Sequence, residues 1–136
     1  MKRILLFAAY CTALGVTILA QDGVDADYQK WMNTVGATSG SLRKNLEAKN
    51  GESASADAKK LQEVFAQVHH FYQEKNVEDA TKFAADARDA FRDIGEQASA
   101  GHFEDASAAL KKAMSNCAGC HTAHREKLAD GSYKMK

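Results

Sequence analysis

Not one proline occurs in the 136 residues of this chain, and no other single feature constrains its fold as much. Proline ends or kinks helices, because its ring removes a backbone donor and clashes with the preceding turn. Alanine, the best helix former, recurs along the chain instead. Apolar residues return at spacings of three and four, the period of a helix with one buried face, and nowhere alternate as a strand would. The expected fold class is all-α.

Periodicity and punctuation define four helical stretches. The first spans about Asp25 to Ala48, with Tyr28, Trp31, Met32, Val35, Ser39, Leu42 and Leu46 on one face, and Asn50-Gly51 ends it. The second begins after a serine-rich turn with Ser53 or Ser55 as N-cap and reaches about Lys75, burying Leu61, Val64, Phe65, Val68, Phe71 and Tyr72. Asn76 is expected to cap the third, where Glu78 and Asp79 meet the positive end of the helix dipole and Val77, Ala80, Phe83, Ala87, Phe91 and Ile94 form the stripe. Gly101 separates it from the fourth, whose face runs from Phe103 through Leu110, Met114, Cys117, Cys120, His121 and His124 to Leu128. Asp130-Gly131 closes that helix and leaves a frayed tail. Four amphipathic helices of similar length joined by short loops predict an antiparallel four-helix bundle, folded as one domain over residues 21–136.

The first twenty residues read differently. Lys2 and Arg3 precede an apolar run from Ile4 to Ala20, and the chain turns polar at Gln21-Asp22-Gly23, the pattern of a secretory signal peptide cleaved after Ala20. An uncleaved anchor is the alternative, at the short limit for a membrane span. Cleavage removes Cys11 and leaves no membrane segment, and the two cysteines that remain have no disulfide framework to join. Basic and acidic residues balance at 18 each over the whole chain. No basic patch points to nucleic acid.

Those two cysteines stand in Cys117-Ala118-Gly119-Cys120-His121, a C-x-x-C-H run that reads as a covalent haem attachment site. On a helix both thiols and the imidazole project from one face within about one turn. Two sulfurs can then form thioethers with the vinyl groups on one edge of a porphyrin while His121 reaches the iron as proximal ligand. A redox disulfide would sit beside a βαβ pattern, which is missing here. Zinc would need Cys117, Cys120, His121 and His124 to surround an ion from one face of one helix, which cannot wrap it tetrahedrally. One haem c per chain is the cofactor these residues predict. The exported segment and the haem motif together imply a periplasmic protein.

With the C-x-x-C-H near the end of an all-helical chain, followed by His124 and Arg125, the sequence resembles the class II c-type cytochromes, the cytochrome c′ family with its low-spin relatives. That resemblance implies a four-helix bundle with haem on the last helix. It matches Arg125 to a basic residue of the haem pocket and departs at His124, where the family usually has an aromatic. In the first helix it places Met32 on the open side of the iron, with Gly36 four positions on as the small residue of the pocket, and Gln29 near a propionate; Tyr28 replaces the arginine often found before that polar residue.

Met32, Gly36 and Gly40 share one face at i, i+4 and i+8. Each mid-helix glycine costs about 1 kcal/mol relative to alanine, which a flat group approaching that face would offset. A core methionine filling a gap is the alternative role for Met32, and His69 or His70 is the next candidate ligand. With His121 and Met32 on opposite sides the iron is six-coordinate and low-spin, suited to electron transfer, and the chain is not expected to be an enzyme. Were Met32 only packing, a five-coordinate cytochrome c′ that takes up nitric oxide or carbon monoxide would result. A small haem peroxidase needs a distal acid or base, and the first helix offers only threonine and serine near Met32. Partners are redox proteins meeting a small patch at the haem edge, where Lys111, Lys112 and Lys127 either steer an acidic surface or form a solvated helix face. The family often dimerises through its first two helices, so the resemblance also allows a homodimer.

Overall fold

The computed structural model describes residues 19–129, 131 and 133–136. Most of the expected signal peptide, with Cys11, therefore lies outside the described residues. Four helices follow one another: α1 (Leu19–Glu47), α2 (Gly51–Glu74), α3 (Glu78–Ser99) and α4 (Phe103–His124). They pack in chain order as an antiparallel bundle, α1 on α2, α2 on α3 and α3 on α4, whereas α1 and α4 scarcely meet. No described helix is long and apolar enough to cross a membrane.

Each of the three loops is the same device. Residues Lys49 and Asn76 at φ 55° and Gly101 at φ 81° take the left-handed conformation just past a helix end. Their amides return to Leu46, Gln73 and Ala98, and the following amides return to Asn45, Tyr72 and Gln97, at 2.9–3.2 Å. This paired bonding is the Schellman motif, which satisfies the last carbonyls of a helix. The next helix starts at once, with Asn50, Val77 and His102 as N-caps.

Several sequence boundaries need correction. Asn50 opens α2 instead of ending α1: its side chain accepts from the Ser53 amide at 3.1 Å, which displaces Ser53 and Ser55 as caps. Gly51 must follow, since a Cβ there would lie 2.7 Å from the Ala98 carbonyl oxygen. Asn76 closes α2 and does not cap α3, whose N-cap is Val77, without a side-chain bond. Among the described residues the first helix already runs from Leu19, ahead of Asp25, through a stretch 19–24 that contains no proline.

The last helix stops at His124, short of Asp130-Gly131, and the tail is not frayed. Arg125 turns to extended backbone at φ −118°, ψ 132°, and β1 (Arg125–Lys127) pairs antiparallel with β2 (Tyr133–Met135), Arg125 opposite Met135. Gly131, at φ 86°, lies in the turn. The Lys136 amide returns to the His124 carbonyl at 2.9 Å and so caps α4.

The bundle is closed tightly at one end and loosely along one seam. Leu42, Leu61, Phe91 and Ile94 are wholly buried near the α1–α2 and α3–α4 loops, with Phe65 stacked on Phe91 at 5.5 Å. Small residues bring α2 and α3 close: Ala54 and Ala58 face α3 fully buried, and a Cβ at Gly95 would lie 3.3 Å from that of Ala58. At the other end Tyr28, Trp31, Phe71 and Tyr72 form an aromatic cluster with ring centroids 5.2–6.3 Å apart.

Candidate functional site

Between the two packed ends, where α1 and α4 separate, lies a cavity of about 650 Å³, a volume that takes a ligand of drug size. Its cause is readable in the residues. On α3 the buried stripe is alanine at 80, 84 and 87, and on α1 Gly36 and Gly40 have no side chain, so nothing bulky reaches across the seam. Met32 and Val35 of α1, Phe65 and Val68 of α2, Phe83 of α3 and Met114 of α4 complete the apolar lining.

Cys117, Cys120 and His121 all line this cavity from α4, each half-buried. The helix rides against the Phe83 ring at Gly119, where a Cβ would lie 3.2 Å from the nearest ring carbon, and this contact turns the cysteine face inward. Both cysteines are free thiols. Burial raises the Cys117 pKa, and burial with the neighbouring Cys117 sulfur pushes Cys120 to about 11. Both therefore stay protonated at neutral pH, the opposite of the depressed thiol of a redox dithiol. Burial, aided by Arg125, lowers the His121 pKa, which keeps its imidazole neutral and its lone pair free.

The opposite wall is α1. Met32 is half-buried there, and Cβ atoms built on Gly36 and Gly40 would meet nothing within 4 Å. The glycines are thus not needed for packing against protein. Ser39, on the same wall, is 7 % exposed and its hydroxyl finds no hydrogen-bond partner among the described residues. The C-x-x-C-H face and Met32 are accordingly brought to one cavity from two helices, with open space against the glycines between them.

The hairpin seals the end of the cavity beyond His121. Gln29 donates its amide to the Tyr133 carbonyl at 2.6 Å, so this donor is engaged by protein. Arg125 stacks its guanidinium 4.0 Å from the Tyr133 ring centroid. The Tyr72 hydroxyl lies 3.3 Å from that of Tyr28 and 3.5 Å from the Met135 sulfur. His124 lines the cavity too, but its Nε2 is 2.8 Å from Asp79 Oδ2, a contact that holds the Asp79 carboxyl below its usual pKa. That pairing draws His124 outward. Among the described residues no three His, Cys, Asp or Glu side chains converge on a point that could hold a bare metal ion.

His69 and His70 do not line the cavity; His70 is exposed and lies 3.4 Å from Glu74. Periodicity treats Phe83 and Met114 as plain core, and no sequence argument marks Arg43, Tyr133, Lys134 or Met135, all of which line the cavity. Gly131 is a turn signal in the sequence and falls in the five-residue connection between β1 and β2. Arg43, Arg125 and Lys134 give the lining three cations, and among the described residues no Asp or Glu lines it. An apolar cavity with cations at its edges, two thiols, a neutral imidazole and a thioether suits a flat apolar group bearing carboxylates, which is the chemistry of haem. No model of a known protein family matches the chain, and neither does any curated protein or solved structure.

Proposed function

We propose that this chain is an exported c-type cytochrome of the class II kind that carries electrons between redox proteins of the periplasm. It would hold one haem c through Cys117 and Cys120, with His121 and Met32 as the residues that would bind its iron. The observation that carries this reading is the meeting of the C-x-x-C-H face of α4 and Met32 of α1 on one apolar cavity lined by cations and, among the described residues, no acids.

Bound haem supplies a one-electron ferric/ferrous couple. The protein's residues supply its setting. The buried thiols stay protonated at neutral pH, which disfavours disulfide exchange between them. His121, kept neutral by burial, presents a nitrogen lone pair, and the soft Met32 thioether favours the ferrous state. Gly36 and Gly40 leave room for a planar group to lie against α1.

The deciding experiment is the visible spectrum of the mature protein, co-expressed with a haem-attachment system, oxidised and dithionite-reduced, with and without carbon monoxide. Sharp split bands on reduction that ignore the gas are expected. Broad high-spin bands that shift with it would make the chain a gas-binding five-coordinate cytochrome, and absence of covalent haem would end the cytochrome reading altogether.

A further inference from the structure

We infer that the haem-free chain binds one copper(I) ion between Cys117 and Cys120. Both are free thiols, half-buried on the face of α4 that lines the cavity. As residues i and i+3 of one helix they carry Cβ atoms about 5–6 Å apart, a separation that two sulfurs bonded to a single ion can span. The two sulfurs are close enough that Cys117 contributes to the raised pKa of Cys120.

The rest of the lining selects the ion. Zinc in a structural site takes four donors arranged tetrahedrally, and among the described residues no three His, Cys, Asp or Glu side chains converge on a point. Copper(I) is the soft ion that thiolates and thioethers select, and two thiolates in line satisfy it. The walls around the cysteines hold donors of the same soft kind. Met32, Met114 and Met135 bring thioethers to the cavity, and among the described residues no carboxylate lines it to attract a harder ion. Binding balances without any change of oxidation state: two S–H bonds break, two Cu–S bonds form, and two protons leave to solvent. The resulting bis(thiolate) centre carries one negative charge. Arg43 and Arg125 line the same cavity, so the surrounding charge favours that centre. In the proposed function the same two sulfurs carry haem, so copper and haem exclude one another.

The test uses the haem-free chain, reduced and handled without oxygen, and titrated with copper(I) as its acetonitrile complex against the chromogenic copper(I) chelator bicinchoninate. Wild type should withdraw one copper per monomer from the chelator, and the loaded protein should resist alkylation of both cysteines by iodoacetamide. Cys117→Ser and Cys120→Ser should each abolish uptake while keeping the helical circular dichroism of wild type, since neither cysteine is fully buried. An equal amount of zinc(II) should leave the copper in place. No uptake by wild type, uptake that survives either serine change, one copper shared between two chains, or displacement by zinc overturns the inference. None of these outcomes touches the cytochrome reading, which stands or falls on the covalent haem seen in the visible spectrum.

Discussion

The Tyr72 hydroxyl sits 3.3 Å from the Tyr28 hydroxyl across the α1–α2 seam, at the edge of the cavity. Both phenols are buried, at 3 % and 7 % exposure. Burial pushes the Tyr28 pKa up to about 12, and burial together with the Tyr28 partner moves Tyr72 higher still. The unfolded chain releases these protons near pH 10, whereas the folded one retains them. Stability is thus complete below pH 10 and falls as pH rises from there through about 12. For Tyr28 alone the loss amounts to on the order of 3 kcal/mol. Urea midpoints of the haem-free chain between pH 8 and 11.5 should decline in wild type and only about half as steeply in Tyr28→Phe, where buried Tyr72 still titrates. Equal slopes in the two proteins would contradict the assignment.

Gly36 separates the demands of the fold from those of the site. Since a Cβ there meets nothing within 4 Å, Gly36→Ala should stabilise the haem-free bundle by roughly 1 kcal/mol through helix propensity alone. Gly36→Leu would place a branched side chain on the cavity wall facing α4, and the yield of covalent haem on a denaturing gel should fall several-fold. Full haem loading of Gly36→Leu would show that nothing flat lies on that face.

Much of this was legible because the signals are local. The bundle follows from one helical period without proline, and the inward buried faces of α2 and α3 match the periodic residues, among them Leu61, Phe65, Phe91 and Ile94. Cys117, Cys120 and His121 were legible because their chemistry is written in adjacent residues. What the sequence hid depends on distance along the chain. Arg43 lines the cavity only because α1 and α4 diverge, an arrangement of segments far apart in the chain. The caps were misread at Asn50 and Asn76 because asparagine serves both as N-cap and as left-handed terminator, and a three-residue loop makes these positions neighbours. The hairpin went unread because Arg125–Lys127 and Tyr133–Met135 show no apolar alternation.

Gly51 should respond in the opposite direction to Gly36. It starts α2 with its α-carbon against α3, and an added Cβ would stand 2.7 Å from a backbone oxygen of Ala98. Backbone cannot step aside as a side chain can, so Gly51→Ala forces the start of α2 away from the end of α3. The expected loss is about 1–3 kcal/mol, outweighing the gain in helix propensity and read as a lower urea midpoint.

Met32 lies across the cavity from the C-x-x-C-H face, and its thioether is the axial donor supplied by α1 in the proposed function. Met32→Ala should leave covalent haem in place, because the thioether bonds come from α4, while converting a low-spin spectrum to a high-spin one that responds to carbon monoxide. Cys117→Ala with Cys120→Ala should abolish the covalent bond and leave the helical content unchanged by circular dichroism. A Met32→Ala spectrum identical to wild type would return this side chain to a packing role, with Met114 or Met135, which also line the cavity, next to be tested.

The C-terminal hairpin is held by three bonds to different parts of the bundle: Lys136 N–H to the His124 carbonyl at 2.9 Å, the Gln29 amide to the Tyr133 carbonyl at 2.6 Å, and the Tyr72 hydroxyl to the Met135 sulfur at 3.5 Å. The first caps α4 directly after the C-x-x-C-H turn, and the second ties the hairpin to α1 near Met32. Ending the chain after Leu128 removes all three and uncovers the cavity beyond His121. Each neutral hydrogen bond contributes about 1 kcal/mol, so the truncated, haem-free protein should lose roughly 2–3 kcal/mol of unfolding free energy. The loss should be uneven, with amide exchange accelerating in the last turns of α4 and hardly at all in α2 and α3, whose mutual packing the hairpin does not touch. Exchange that rises uniformly along the chain would mean the hairpin supports the whole bundle, and unchanged exchange at residues 117–124 would mean that α4 holds the haem motif without it.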